Sequence, residues 1–398
     1  MKISLPKSSV RLVVLLAVLC VLTLLLIIRP ANKAADFAEI SNCLALPWQQ
    51  QNKCLDDFLR GYGDQKTVRQ LLSELELIGN TNPQLRNNCH VVSHAIGRYA
   101  TTTLGNVGDA FEACDFTCSS GCYHGAVERL FFSDEQLAQN IQHLSYSQLA
   151  AKVTTICTAD KFKNPTQFVI FQCLHGLGHA ILFTGNYNLR DSLKLCDLLG
   201  GGFESESCAV GVFMENITAF DKTKRDLKPA DVQYPCNSVD EKHRGSCYFM
   251  HTSLLLELGK NFQQIAEICK QADGYQYSCF ESYGRDLFGF FILPGQMQLA
   301  VNACEIYAGQ FKPSCMLGVV KHAIDREYKY GYQFCAALSD SVDRKLCFGM
   351  ANFHANYAHY QDYQARVNLC RDFSGADAKL CTSTIDQPWQ NWLPAPYR

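Results

Sequence analysis

The sequence predicts an all-α protein: disulfide-bridged αα-hairpin repeats stacked as an α-solenoid, behind one N-terminal transmembrane helix. Three observations predict it. Cysteines recur in pairs with nearly constant gaps, helical apolar spacing flanks each pair, and a long apolar run stands near the N-terminus.

The apolar run settles which chemistry the cysteines do. Residues 1–11 form a basic flank containing Lys2, Lys7 and Arg11, and residues 12–28 are uninterruptedly apolar. Seventeen residues sit at the lower limit of about 17–25 for a bilayer-spanning helix and exceed a usual signal-peptide core. No small-x-small cleavage site follows, so the run reads as an uncleaved signal anchor. The surplus of basic residues ahead of it favours a cytoplasmic N-terminus. Residues 29–40 are then a linker, and the bulk of the chain lies in the periplasm, or in the secretory lumen or outside the cell if the source is eukaryotic. There the sequon Asn216-Ile217-Thr218 would matter.

The chain of 398 residues carries 21 cysteines, of which Cys20 falls in the apolar run and 20 lie beyond it. In an oxidising compartment such a number reads as a disulfide framework rather than a set of metal thiolates. From Cys157 the pairs are 157/173, 196/208, 236/247, 269/279, 304/315, 335/347 and 370/381, with gaps of 16, 12, 11, 10, 11, 12 and 11. Each unit has one grammar: a short amphipathic segment ends in the first cysteine ("NLRDSLKLC", "NFQQIAEIC"), a polar loop follows, and the second cysteine opens an apolar helix ("CAVGVFMENI", "CMLGVVKHAI"). A disulfide across such a loop stabilises by roughly 2–4 kcal/mol in the loop-entropy account. Cys43 and Cys54 fit the same rule, followed by an amphipathic helix around Thr67 to Ile78. Cys89, Cys114, Cys118 and Cys122 are irregular. Pairing Cys114 with Cys122 leaves Cys89 for Cys118; two free or redox-active thiols are the alternative. The repeat domain spans residues 41–385, and 386–398 read as a C-terminal tail. In form it resembles the exported, disulfide-bridged helical-repeat proteins of the Sel1-like group, without their Gly/Ala/Tyr signature and with longer cysteine spacing.

Composition narrows the partners. Charge is nearly balanced, 36 basic against 38 acidic side chains, with no basic stripe, which argues against nucleic acid. No nucleophile elbow, Walker loop or H-E-x-x-H motif is present, and "LLGGGF" follows a helix rather than a strand, so it is a hairpin loop.

Three early units carry a histidine followed four residues later by a second potential ligand. "CHVVSHAIGR" holds His90 and His94, "CYHGAVERL" holds His124 and Glu128, and "CLHGLGHAI" holds His175 and His179. Four residues is about one helical turn, so each pair shares a face. Aligned on the cysteines, the pairs fall in one frame and expect a metal site of His90, His94, His124, Glu128, His175 and His179. Imidazole and carboxylate suit Zn, Cu, Mn or Fe. Glu128 is also the one candidate general base, should the site be catalytic. Later units lose the pattern, which confines the site to the N-terminal half. The competing expectation is a non-catalytic scaffold, its aromatic C-terminal half meeting an envelope protein or a glycan.

Overall fold

The computed structural model describes residues 37–131, 144–219, 222–228, 230–291 and 295–392. The apolar run at 12–28 and the end of the tail lie outside the described residues. Among the described residues every regular element is helical, with 20 α-helices and no strand. Eight long helices carry the argument: α1 (Cys89–Leu104), α2 (Thr117–Glu128), α3 (Gln167–Thr184), α4 (Gly202–Thr218), α5 (Glu241–Glu257), α6 (Gln276–Phe291), α7 (Lys312–Arg326) and α8 (Ser341–His359).

Short helices alternate with most of these, and their starts are written in capping residues. Thr67 with Gln70, Ser145 with Gln148 and Asn261 with Gln264 form reciprocal capping boxes. Asn188 and Asp362 cap Leu189–Asp197 and Tyr363–Arg371. Each such cap supplies a partner to backbone N–H groups that the helix leaves unpaired, about 1 kcal/mol apiece.

All 20 cysteines from Cys43 onward form ten disulfides, each within its own unit, including Cys89–Cys118 and Cys114–Cys122. The free-thiol alternative for the irregular set is thereby excluded. One detail departs from the expected grammar. The second cysteine does not open its helix: Cys208 lies well inside Gly202–Thr218 and Cys347 inside Ser341–His359. The polar residues read as loop supply exposed first turns instead. The Cys236–Cys247 unit differs again, because Cys236 sits in a run of turns rather than at a helix end.

The long helices pack in crossed pairs. A Cβ placed on Gly97 of α1 would lie 2.7 Å from the Ala126 nitrogen of α2, and one on Gly125 of α2 would lie 2.5 Å from the His94 carbonyl carbon of α1. The same reciprocal contact joins Gly178 of α3 to Gly211 of α4, and Gly284 of α6 to Gly318 of α7. Only a residue without a Cβ lets two backbones approach this closely. The glycines therefore fix where each pair crosses.

Distant units also meet. Arg326 at the end of α7 pairs with Glu76, which lies 250 residues earlier. The His359 ring on α8 packs at 4.8 Å on Phe168 of α3. Helix α3 is long and apolar enough to cross a membrane, yet 67% of its most apolar window is buried in the fold, as befits a central core helix. Asn216 of the sequon is fully buried, bonded through its side chain to both the carbonyl and the amide of Asp226. It is closed to glycosylation in the folded protein.

Candidate metal centre

Five histidines from α1, α2 and α3 converge. Ring centroids lie 4.6 Å apart for His90 and His94, 5.0 Å for His175 and His179, and 4.7 and 4.8 Å from His124 to His175 and His179. His94 and His179 stand 5.5 Å apart, which joins the two halves. His94, His124, His175 and His179 are buried, and only His90 is partly exposed.

The expected pairs are all present, but in a different register from the one the cysteines suggested. Counted from the crossing glycines, His94 (three before Gly97) matches His175 (three before Gly178), and Arg98 matches His179. Cys89 is displaced by three residues from the position Cys173 occupies, so alignment on cysteine slips α1 by almost a turn. The cause is local. Cys89 bridges to Cys118, in a stretch where Cys118, Ser119 and Ser120 all adopt left-handed backbone at φ 54°, 55° and 65°. Each such non-glycine residue costs roughly 1–2 kcal/mol, and strain of this kind persists where surrounding structure enforces it.

That left-handed turn aims the Cys118 carbonyl at His90 Nδ1, 2.8 Å away. His94 Nδ1 lies 2.6 Å from Glu128 Oε1, and His179 Nδ1 2.9 Å from Glu215 Oε2. Three imidazoles thus have Nδ1–H committed to an oxygen, and the hydrogen-bond network assigns the lone pair to Nε2. These nitrogens face the centre: His90 Nε2 is 3.0 Å from His94 Nε2, and His175 Nε2 is 3.2 Å from His179 Nε2. His124 donates Nε2–H to Gln172 Oε1 at 3.2 Å, while its Nδ1, like that of His175, is buried without a partner. His90, His124 and His179 offer donor atoms that all lie within 4.8 Å of one another.

Burial, and then the neighbouring imidazoles, push His90, His124 and His175 well below the ordinary imidazole range. They are neutral at physiological pH, the form that binds a metal. Glu128 is deeply buried, which alone would raise its pKa, but His94 and Arg98 bring it down to about 2. Its second oxygen accepts from Arg98 Nη1 at 2.9 Å, and Arg98 in turn holds Asp56 at 3.0 Å. Both Glu128 oxygens are therefore occupied, which differs from the ligand or free base expected of it. It stands behind His94 as Glu215 stands behind His179. Glu215, Arg98 and Asp56 escaped the sequence reading: Glu215 sits in a unit whose histidines are gone, Arg98 stands four residues after His94 but is not a metal-ligating type, and Asp56 comes from a different unit.

A second group, Asp325, His354 and His359, also has donor atoms close enough to share an ion. Its geometry is closed by hydrogen bonds, since both Nε2 atoms reach the same Asp325 Oδ1, at 2.7 and 2.8 Å. No family model, curated protein or solved structure matches the chain.

Proposed function

We propose that this is an exported, membrane-tethered protein whose stacked hairpins, read as an α-solenoid, hold a transition metal of the Zn, Cu, Mn or Fe class in a buried imidazole centre. The ligands are drawn from His90, His94, His124, His175 and His179. Glu128 and Glu215 act as positioning residues that fix the His94 and His179 rings, the arrangement that orients ligating imidazoles in metalloproteins. In this reading Glu128 is neither a ligand nor a catalytic base.

One observation carries the reading: the two Nε2–Nε2 approaches of 3.0 and 3.2 Å. Where His90 and His94 each spend their single N–H on an oxygen, their Nε2 lone pairs confront each other. Two nitrogens bound to one ion at about 2.0–2.1 Å stand roughly 3.0–3.5 Å apart, so the gap fits a shared cation. The rival occupant is a proton, with Glu128 balancing the charge at 2.6 Å. The anchor at 12–28 and the ten disulfides support export, because such a framework persists in an oxidising compartment.

Elemental analysis of the full chain, purified from an oxidising export host without a metal-affinity tag, tests the proposal. Near-stoichiometric metal that is lost in His90→Ala and His175→Ala, with helicity retained, supports it. Folded, oxidised protein that stays metal-free after incubation with Zn, Cu, Mn and Fe refutes it and favours the proton. The scaffold reading would then turn to Tyr357, Tyr360 and Tyr363, which are exposed near the end of α8 while most described aromatics of that half are buried or partly buried. That patch is where an envelope protein or glycan would bind.

A further inference from the structure

The three crossed helix pairs are copies of one arrangement, and comparing them isolates one residue. In each pair the side chain three before the first glycine meets the side chain three after the second. In the first pair these are His94 and Glu128, at 2.6 Å; in the third, Glu281 and Lys321, also at 2.6 Å. Both are ion pairs. In the middle pair the same two positions hold His175 and Met214, and His175 Nε2 lies 3.3 Å from the Met214 sulfur.

As a hydrogen bond this contact gives little, because a thioether is a weak acceptor. The remaining nitrogen of His175 is buried without any partner. A buried, unsatisfied imidazole is costly, and a polar or charged partner like those of the sister positions would have avoided it. As a coordination geometry the contact fits. An imidazole nitrogen and a sulfur held by one first-row ion at about 2.0 and 2.3 Å lie roughly 3.3 Å apart when they subtend about 100°. His179 Nε2 adds a third donor at 3.2 Å from His175 Nε2, and His124, its Nδ1 unpartnered, packs on both rings.

The donor set then selects the metal. Every cysteine among the described residues is in a disulfide, so no thiolate competes. A thioether is a soft donor that favours monovalent copper, whereas Zn, Mn and Fe sites built on imidazole and carboxylate have no use for it. Resting on the metal-centre reading above, we infer that the His124, His175, His179 and Met214 end of the centre is a copper site, with Met214 the ligand that holds Cu(I).

The test uses the full chain and its Met214→Leu variant, which keeps side-chain volume. Cu(I) is supplied anaerobically as its acetonitrile complex, so that no reductant touches the disulfides, and its affinity is read by competition with a Cu(I)-specific chelator. Zn(II) affinity is measured in parallel. The expected result is Cu(I) bound more tightly than Zn(II), with Met214→Leu weakening Cu(I) by no less than the roughly 10- to 100-fold typical of losing an outer-shell partner, and Zn(II) unaffected. X-ray absorption at the copper edge of the unmodified chain should show a copper–sulfur distance, which keeps the test independent of how the variant folds. Zinc bound as tightly as copper, Cu(I) affinity unchanged in the variant, or a copper shell of nitrogen and oxygen alone would overturn the copper assignment and leave the metal centre standing. Failure to bind either ion would overturn the copper assignment, and failure to bind Mn and Fe as well would overturn the metal centre.

Discussion

Substituting Gly125 by alanine should damage this protein more than an ordinary core change. The new Cβ would sit 2.5 Å from the His94 carbonyl carbon and 2.7 Å from its Cα, where unstrained contact begins at 3.4 Å. The shortfall is at least about 0.9 Å, since the His94 carbonyl oxygen lies nearer still, and the obstacle is main chain, so no rotamer change relieves it. Helices α1 and α2 must separate, and a gap of 0.5–1 Å forfeits about a quarter to a half of each dispersion contact along the crossing. Gly97, making the reciprocal contact, prevents a simple slide. We expect a loss of about 3 kcal/mol, at the upper end of the overpacking range, or roughly 3–4 °C in melting temperature for a chain of this size. The assay is thermal unfolding with disulfides intact, and Gly61→Ala is the control. Gly61 is helical with nothing within 4 Å of an added Cβ, so alanine there should add about 0.5–1 kcal/mol. A Gly125→Ala variant melting within about 1 °C of the unmodified protein would show that the backbones do not approach as described.

Three further outcomes follow from the same structure. Replacing Cys89 and Cys118 together by serine opens a loop 29 residues long, which should cost about 3–4 kcal/mol in chemical denaturation; an unchanged midpoint would mean the bridge constrains nothing. His251 donates Nε2–H to the Val232 carbonyl at 2.6 Å, and burial lowers its pKa to about 4 from 6.5. The unfolded chain therefore binds a proton that the fold refuses between those values, so stability falls on acidification through that window, by about 2 kcal/mol between pH 7 and pH 5. His251→Asn should flatten that slope, and an unaltered pH profile would remove His251 as its source. Finally, Glu128→Gln should weaken metal binding by roughly 10- to 100-fold in chelator competition, because His94 loses the carboxylate that sets its ring; unchanged affinity would mean that Glu128 does not position His94.

Much of the architecture was legible because disulfides between a helix end and the next helix leave a periodic mark in sequence. Eight of the ten pairings follow from the regular cysteine gaps, while the two among Cys89, Cys114, Cys118 and Cys122 were left with an alternative, and the capped short helices follow from Thr, Ser, Asn and Asp at their starts. The histidine pairs were legible too, since i,i+4 spacing is a property of one helix. What spacing within a helix cannot carry is the register between helices. That register is set by Gly97, Gly125, Gly178 and Gly211, whose role appears only when two backbones meet. Met214 and Glu215 were passed over for this reason: they lie in a unit without histidines, yet the packing of α4 on α3 carries them to His175 and His179. The left-handed run at Cys118, Ser119 and Ser120 left no mark at all, because none of the three is a residue that favours that conformation.

Contacts between units far apart in the chain limit how such a protein can change. In an open array of repeats each unit touches only its neighbours, so units can be gained or lost with local consequences. Here Arg326 answers Glu76, and His359 packs on Phe168. Deleting one hairpin would move α7 and α8 away from both partners at once. The number of repeats is therefore part of the fold, and length variation between descendants of this chain should collect in the loops rather than in the count of hairpins.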